Sequence, residues 1–237
     1  MSIFKFKHFS VSQGGNVHKV GTDSMVLGAF IENNNPNTIL DLGSGTGVLA
    51  LIMAQRFQRA KVFAVEKELE AFNYCQKNFS NASFSNRITT IHSSISTIKL
   101  NRNFDLIVSN PPYFAGDLLS INEIRSAARH EHELSLKGWM SIAKSLLSDN
   151  GQYWMIFPSN RNEEVVSIAE SLNLHLNKCI SIYGKPNQLI RNIYSFSTSK
   201  KQCETISHSF TIRDNDGKYT TEYKLLTKDL HEDVAKL

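Results

Sequence analysis

Asn110-Pro111-Pro112-Tyr113 is the stretch whose residue types most directly imply chemistry. Two successive prolines stiffen the chain, remove two N–H donors and leave carbonyls pointing outward. An amine conjugated to an aromatic ring, or an amide nitrogen, is a poor nucleophile because its lone pair is delocalised. The Asn110 side-chain oxygen and the Pro111 carbonyl can each accept one N–H of such a nitrogen. That turns the lone pair toward an electrophile and localises it. Pro112 keeps the turn rigid, and Tyr113 offers an aromatic face for a flipped base, with stacking worth ~1–3 kcal/mol per base. No strong general base is required, because the proton leaves readily once nitrogen is alkylated. His130 and His132 are therefore not read as bases. The plainer alternative is a rigid exit from a strand, with Tyr113 in the core.

A second constellation runs from Thr38 to Ala50. Ile39 to Leu42 reads as a short buried strand, Gly43, Gly45 and Gly47 as a turn, and Leu49 onward as an apolar helix. Glycines allow a sharp turn and let a ligand approach main-chain N–H groups. The spacing G-x-G-x-G departs from the G-x-G-x-x-G of dinucleotide sites. Glu66 ends the next strand, about 20 residues on, where an acid can take both hydroxyls of a ribose. Together Asp41, the three glycines and Glu66 resemble the S-adenosylmethionine (SAM) site of class I methyltransferases. The resemblance implies an adenine contact after the third strand, where many such enzymes carry Asp. Here Ser94 and Ile95 stand in that turn. In Gly21-Thr22-Asp23-Ser24, Thr22 or Asp23 can cap the next helix; equally, Thr22 at that helix N-terminus can help hold the methionine carboxylate of SAM.

The elements that must position these residues alternate. Strands over Ile39–Leu42, Lys61–Val65, Ile88–His92 and Phe104–Ser109 are separated by helical patterns, a rhythm that gives a doubly wound parallel sheet. Ligands of such sheets sit beyond the carboxyl ends of the strands. That rule sends Gly43 to Gly47, Glu66, Ser94 and Asn110 to one crevice. A helix over 133–147, an Asp149-Asn150-Gly151 turn, a fifth strand over Gln152–Phe157, a helix over 163–172 and strands near 178–183 and 191–197 complete a seven-stranded, mostly parallel sheet. Before it, Phe4 to Val11 reads as one extended segment. A turn at Gln13-Gly14-Gly15-Asn16 and a return over Val17–Val20 make it an N-terminal β-hairpin. The tail from Lys200 is polar, with a short strand at 209–212.

The 237 residues, 41% hydrophobic, suit a single α/β domain with a short N-terminal hairpin and a C-terminal extension. No run approaches the ~18 apolar residues of a membrane span, and the N-terminus lacks the apolar region of a signal peptide. A cytoplasmic protein is expected, with no membrane partner and no metal. Cys75, Cys179 and Cys203 read as free thiols. A net charge of +4 permits a polyanionic partner without requiring one. A monomer is the default.

Asn110-Pro111-Pro112-Tyr113 resembles the motif of amino-methyltransferases acting on adenine N6, guanine N2 or glutamine N5. Phe4 to Phe9, Val20-Gly21-Thr22-Asp23, the glycine turn, Phe114 after the motif and Ala128-Arg129-His130-Glu131 further resemble the bacterial tRNA(Val) adenine-N6 methyltransferases. That resemblance implies a Rossmann-like class I fold, SAM as cofactor and tRNA as substrate, with methylation of the adenine just after the anticodon. Lys5, Lys7 and Lys19 on the hairpin, with Arg125, Arg129 and His130 after the catalytic motif, are then the candidate phosphate contacts. A solvated charged face is the alternative for each. Rival readings are the glutamine N5 methyltransferases of release factors, guanine N2 enzymes of rRNA, a DNA adenine methyltransferase and a catalytically silent RNA-binding module.

Overall fold

The computed structural model describes residues 2–15, 17, 19–32, 35–112, 134–199 and 206–233. Its centre is an eight-stranded sheet in the order β10-β8-β9-β7-β6-β3-β4-β5. In chain order its strands are β3 (Thr38–Leu42), β4 (Lys61–Glu66), β5 (Ile88–His92), β6 (Phe104–Ser109), β7 (Leu147–Pro158), β8 (His175–Tyr183), β9 (Leu189–Ser197) and β10 (Ile206–Thr211). Neighbours from β5 across to β7 run parallel, whereas β9 is antiparallel to both β7 and β8. β10 adds to the far edge, parallel to β8. The expected seven strands are thus present, and the C-terminal extension supplies an eighth.

Side chains alternate across each strand, so both faces need cover. Ile39, Leu106, Val108, Trp154 and Ile156 pack toward α1 (Thr22–Phe30), α2 (Val48–Arg56) and α3 (Leu69–Ser80). Leu40, Leu42, Ile107, Tyr153 and Met155 pack on the other face, toward α4 (Leu136–Ser145) and α5 (Asn162–Ser171). Ser135 caps α4 through Gly138 N–H at 3.1 Å. Among the described residues no helix is long and apolar enough to cross a membrane.

Two local expectations shift. The hairpin is β1 (Ser2–Lys5) against β2 (Ser10–Gln13), pairing Ser2 with Gln13 and Lys5 with Ser10. Its turn lies at Phe6–Phe9, where Phe6 N–H donates to Phe9 O at 2.9 Å and the two rings stack at 4.4 Å. Aromatic stacking therefore folds what alternation alone reads as one strand. Val17 and Val20 lie outside any strand; instead Gln13 Oε1 accepts Val20 N–H at 2.7 Å and closes a loop. Asp149-Asn150-Gly151 lies inside β7, as an irregularity where the register passes from Phe104–Leu147 to Leu106–Gln152.

Residues 230 and 231 fold back onto the hairpin. Phe6 bridges His231, and Lys7 N–H donates to Leu230 O at 2.9 Å. α6 (Thr221–Leu226) sends Tyr223 into the core, where its hydroxyl meets His231 Nε2 at 3.1 Å.

Candidate active site

The glycine turn sits where β3 ends. Gly43 and Ser44 N–H both donate to Val65 O, at 3.0 and 2.9 Å, tying the turn to β4. Gly45 N–H donates to Glu66 Oε2 at 2.7 Å, and Glu68 N–H to Glu66 Oε1 at 2.8 Å. Glu66 is 8% exposed, so its carboxylate is fixed by backbone donors. With about four lone-pair sites on a carboxylate, acceptor capacity remains for hydroxyl groups.

The three glycines have different reasons to be glycine. All have positive φ (+74°, +55° and +84°), a region that L side chains rarely adopt. A Cβ on Gly43 would lie 2.7 Å from the Trp139 ring, and one on Gly47 would lie 2.4 Å from Phe79 and 2.9 Å from Cys75. Those two positions are held by packing. A Cβ on Gly45 would meet nothing within 4 Å. Gly45 alone is bare and open, beside the Glu66 carboxylate.

Asp41 lies behind the turn. It is 1% exposed, and its Oδ2 accepts Ala50 N–H at 3.0 Å, securing the first turn of α2. Burial pushes its carboxyl up to about 8; the Ala50 N–H pulls the other way, and the Glu66 charge raises it further.

At the end of β5, Ser93 N–H donates to Glu66 O at 3.1 Å, bringing the next turn alongside. Ser94 Oγ accepts from Ser96 N–H at 3.3 Å and meets Ser96 Oγ at 2.8 Å. Ile95 is buried, near the place where a Gly43 Cβ would be.

Asn110 follows β6 directly, half-buried, with Pro111 buried and Pro112 exposed. Its Nδ2 donates to Ser24 Oγ at 3.3 Å, leaving Oδ1 as the free end of the amide in that contact. Ser24 belongs to the first turn of α1. Thr22 opens that helix, and no side chain caps it; Gly21 is the capping residue. Asp23, the other expected cap, instead accepts from Arg191 Nε at 3.0 Å, pinning α1 to β9. The turn, Glu66, Ser94, Ile95, Thr22 and Asn110 therefore gather at one end of the sheet, the end where ligands of doubly wound folds bind.

Tyr113, Arg125, Arg129 and His130 lie outside the described residues. Lys19 is exposed. Lys5 Nζ lies 3.9 Å from Glu232 Oε1 and Lys7 Nζ 3.1 Å from Asp229 Oδ1, so the two hairpin lysines face acids of the C-terminal segment. Sequence reasoning missed Ser24 as the neighbour of Asn110, because contacts between residues 86 apart leave no spacing signal. Among the described residues no group of His, Cys, Asp and Glu could hold a metal ion.

Comparison with known proteins agrees with this geometry. The model of the family described as methyltransferase small domain matches residues 16–183. The chain is 36% identical over 227 residues to a tRNA1(Val) (adenine(37)-N6)-methyltransferase of Pedobacter heparinus, covering 95% of this chain and 96% of that one. It is 35% identical over 233 residues to the protein of the same name from Flavobacterium psychrophilum, covering 97% and 99%. Among solved structures it is similar to protein Atu636 of Agrobacterium tumefaciens, described as a predicted O-methyltransferase. The TM-score is 0.69 at 17% identity, covering 87% of this chain and 96% of that one. That likeness shows the class I fold.

Proposed function

This chain belongs to the methyltransferase small domain family, alongside the tRNA1(Val) (adenine(37)-N6)-methyltransferases, and we propose from that membership that it methylates N6 of an adenine in tRNA. The observation that carries the reading is identity over nearly the full length of proteins with that name. Position 37 of a valine tRNA is the target that those names point to. S-adenosyl-L-methionine is the methyl donor. The residues fit it: an open glycine at Gly45 and a backbone-fixed carboxylate at Glu66 suit a ribose. Thr22, at the head of α1, suits a carboxylate group.

The chemistry assigned to this chain is orientation and polarisation. Asn110 Oδ1, with its Nδ2 taken by Ser24, accepts one N–H of the target amine. The Pro111 carbonyl accepts the other, and Tyr113 stacks on the base. The two acceptors aim the nitrogen lone pair at the methyl group that the donor supplies. Such alignment supplies roughly 7–11 kcal/mol where reacting groups are held in line. The proton leaves after nitrogen is alkylated, so no side chain is cast as a base. The chain then acts as one catalytic domain, with the hairpin and residues 206–233 packed onto it.

Single-turnover transfer of labelled methyl to unmodified tRNA, followed by nucleoside digestion, tests the proposal. Label in N6-methyladenosine is expected. Label in guanosine, or in glutamine of a release factor offered in competition, would replace the substrate.

A further inference from the structure

Asn78 projects from α3, is 1% exposed, and has a carboxamide fully engaged with backbone. Its Oδ1 accepts Ser12 N–H at 2.7 Å. Its Nδ2 donates to Ser12 O at 3.1 Å and to Thr46 O at 2.9 Å. The amide cannot be turned over, because one end faces a donor and the other faces two acceptors. Ser12 belongs to β2 of the hairpin. Thr46 stands between Gly45 and Gly47 in the turn. One buried side chain thus joins segments 66 and 32 residues away from it.

The position of the Thr46 bond matters. Its carbonyl belongs to the peptide that leads into Gly47, whose own N–H donates to Ser44 O at 2.8 Å. Asn78 therefore holds one side of a peptide whose other side closes the turn. Glu66 holds the Gly45 N–H on the opposite flank. α3 also presents Phe79 and Cys75 to Gly47. The turn is clamped between a carboxylate on the open side and an amide on the buried side.

We propose that Asn78 is the positioning residue of the cofactor turn, and that through it the N-terminal hairpin is energetically part of the cofactor site. The inference rests on the assignment of that turn to SAM made above. A turn already held in its binding geometry loses less freedom when a ligand arrives. By linkage, a ligand that stabilises the turn also restrains what the turn is bonded to. The hairpin then tightens when cofactor binds.

Calorimetry with the intact chain tests this. Asn78→Asp keeps the acceptor for Ser12 N–H but sets an oxygen against the two carbonyls, and SAM affinity should fall by about tenfold or more. Val165→Ala is the control for general destabilisation: that residue is fully buried on α5, on the opposite face of the sheet. It should lower the melting temperature and leave SAM affinity within about twofold. In the wild type, hydrogen exchange should show saturating SAM slowing the Ser12 amide together with the Gly47 amide. Unchanged affinity in a folded Asn78→Asp overturns the inference, as does an equal loss of affinity in Val165→Ala. Should Asn78→Asp fail to fold, the wild-type exchange decides, and a Ser12 amide indifferent to SAM overturns the inference. A wild type that binds no SAM overturns instead the functional reading on which the inference rests.

Discussion

On the open side of the glycine turn, the crevice acids are bound to backbone of their own or the adjoining strand–helix unit. Glu66 holds Gly45 and Glu68, Asp41 holds Ala50, and Ser93 N–H reaches Glu66 O. Where residues 229–232 clasp the hairpin, the contacts are of another kind. Lys7 reaches Asp229 across 222 residues, Phe6 bridges His231, and Gln55 Nε2 donates to Asp229 O at 2.7 Å. The crevice acids are buried and matched to fixed N–H groups, whereas the ionic contacts of the clasp stand in solvent. Buried polar groups are costly to leave unpaired, and exposed ion pairs contribute little. Substitutions in the crevice should therefore act on cofactor and chemistry, and substitutions in the clasp chiefly on how the hairpin is presented.

The largest expected effect is at Asn110. Asn110→Ala should keep SAM and tRNA affinity within several-fold and lower single-turnover methylation at least 10²-fold, about 2.7 kcal/mol of barrier. In the proposed role its oxygen should bond the amine more strongly as nitrogen becomes tetrahedral, so the loss would belong to the chemical step. A wild-type rate in this variant would remove the crevice's claim to the chemistry.

Glu66→Ala comes next. It deletes the acceptor of the Gly45 and Glu68 N–H groups as well as the proposed ribose contact. SAM binding should weaken by roughly 1.5–3 kcal/mol. Glu66→Gln, which keeps one oxygen, should fall between the two. Calorimetric affinities equal to wild type, with the fold intact, would show that the bonds of Glu66 serve the turn alone.

The same division governs what could be read in advance. The parallel sheet was legible because Ile39–Leu42, Lys61–Val65 and Phe104–Ser109 are short apolar runs separated by helical spacing. Glu66 and Asn110 were legible because their places follow from a strand end and a local motif. Asn78, Ser24 and the Arg191–Asp23 pair were not, since each acts on backbone or side chains 32 to 168 residues away. Gly43 and Gly47 show the converse. Their spacing suggests a ligand cradle, yet Trp139 and Phe79 account for the missing side chains. The hairpin misled for a further reason, because Phe6 and Phe9 fit a strand by alternation but stack across a turn.

Asp41 gives an effect of intermediate size that separates buried from exposed charge. Its carboxyl is raised from an ordinary 3.8 to about 8, chiefly by burial. The folded chain therefore keeps a proton that the unfolded chain has released. This contribution to stability is full below pH about 4, falls as pH rises toward 8, and is flat above. Asp41→Asn keeps a neutral acceptor for Ala50 N–H and should remove that fall. Relative to wild type, it should gain about 1 kcal/mol or more between pH 5 and 8 in chemical denaturation. Parallel curves would mean that Asp41 is ionised throughout.

The smallest effects belong to the clasp, and they sharpen the comparison most. Lys5 and Lys7 are the hairpin's candidate phosphate contacts, yet in the free chain they face Glu232 and Asp229. Both pairs are solvent-exposed, and such pairs are worth about 0–1 kcal/mol. Replacing Asp229 and Glu232 together by Ala should therefore change stability by less than about 1 kcal/mol while freeing both cations. If the lysines engage phosphates, tRNA binding in that variant should tighten at low salt. Its log–log salt slope should stay at least as steep as wild type. Lys5→Ala with Lys7→Ala should flatten the slope by roughly 0.9 for each phosphate that is no longer neutralised. SAM affinity should be unchanged in both variants. Three identical slopes would assign the lysines to the clasp alone and move the RNA surface away from the hairpin.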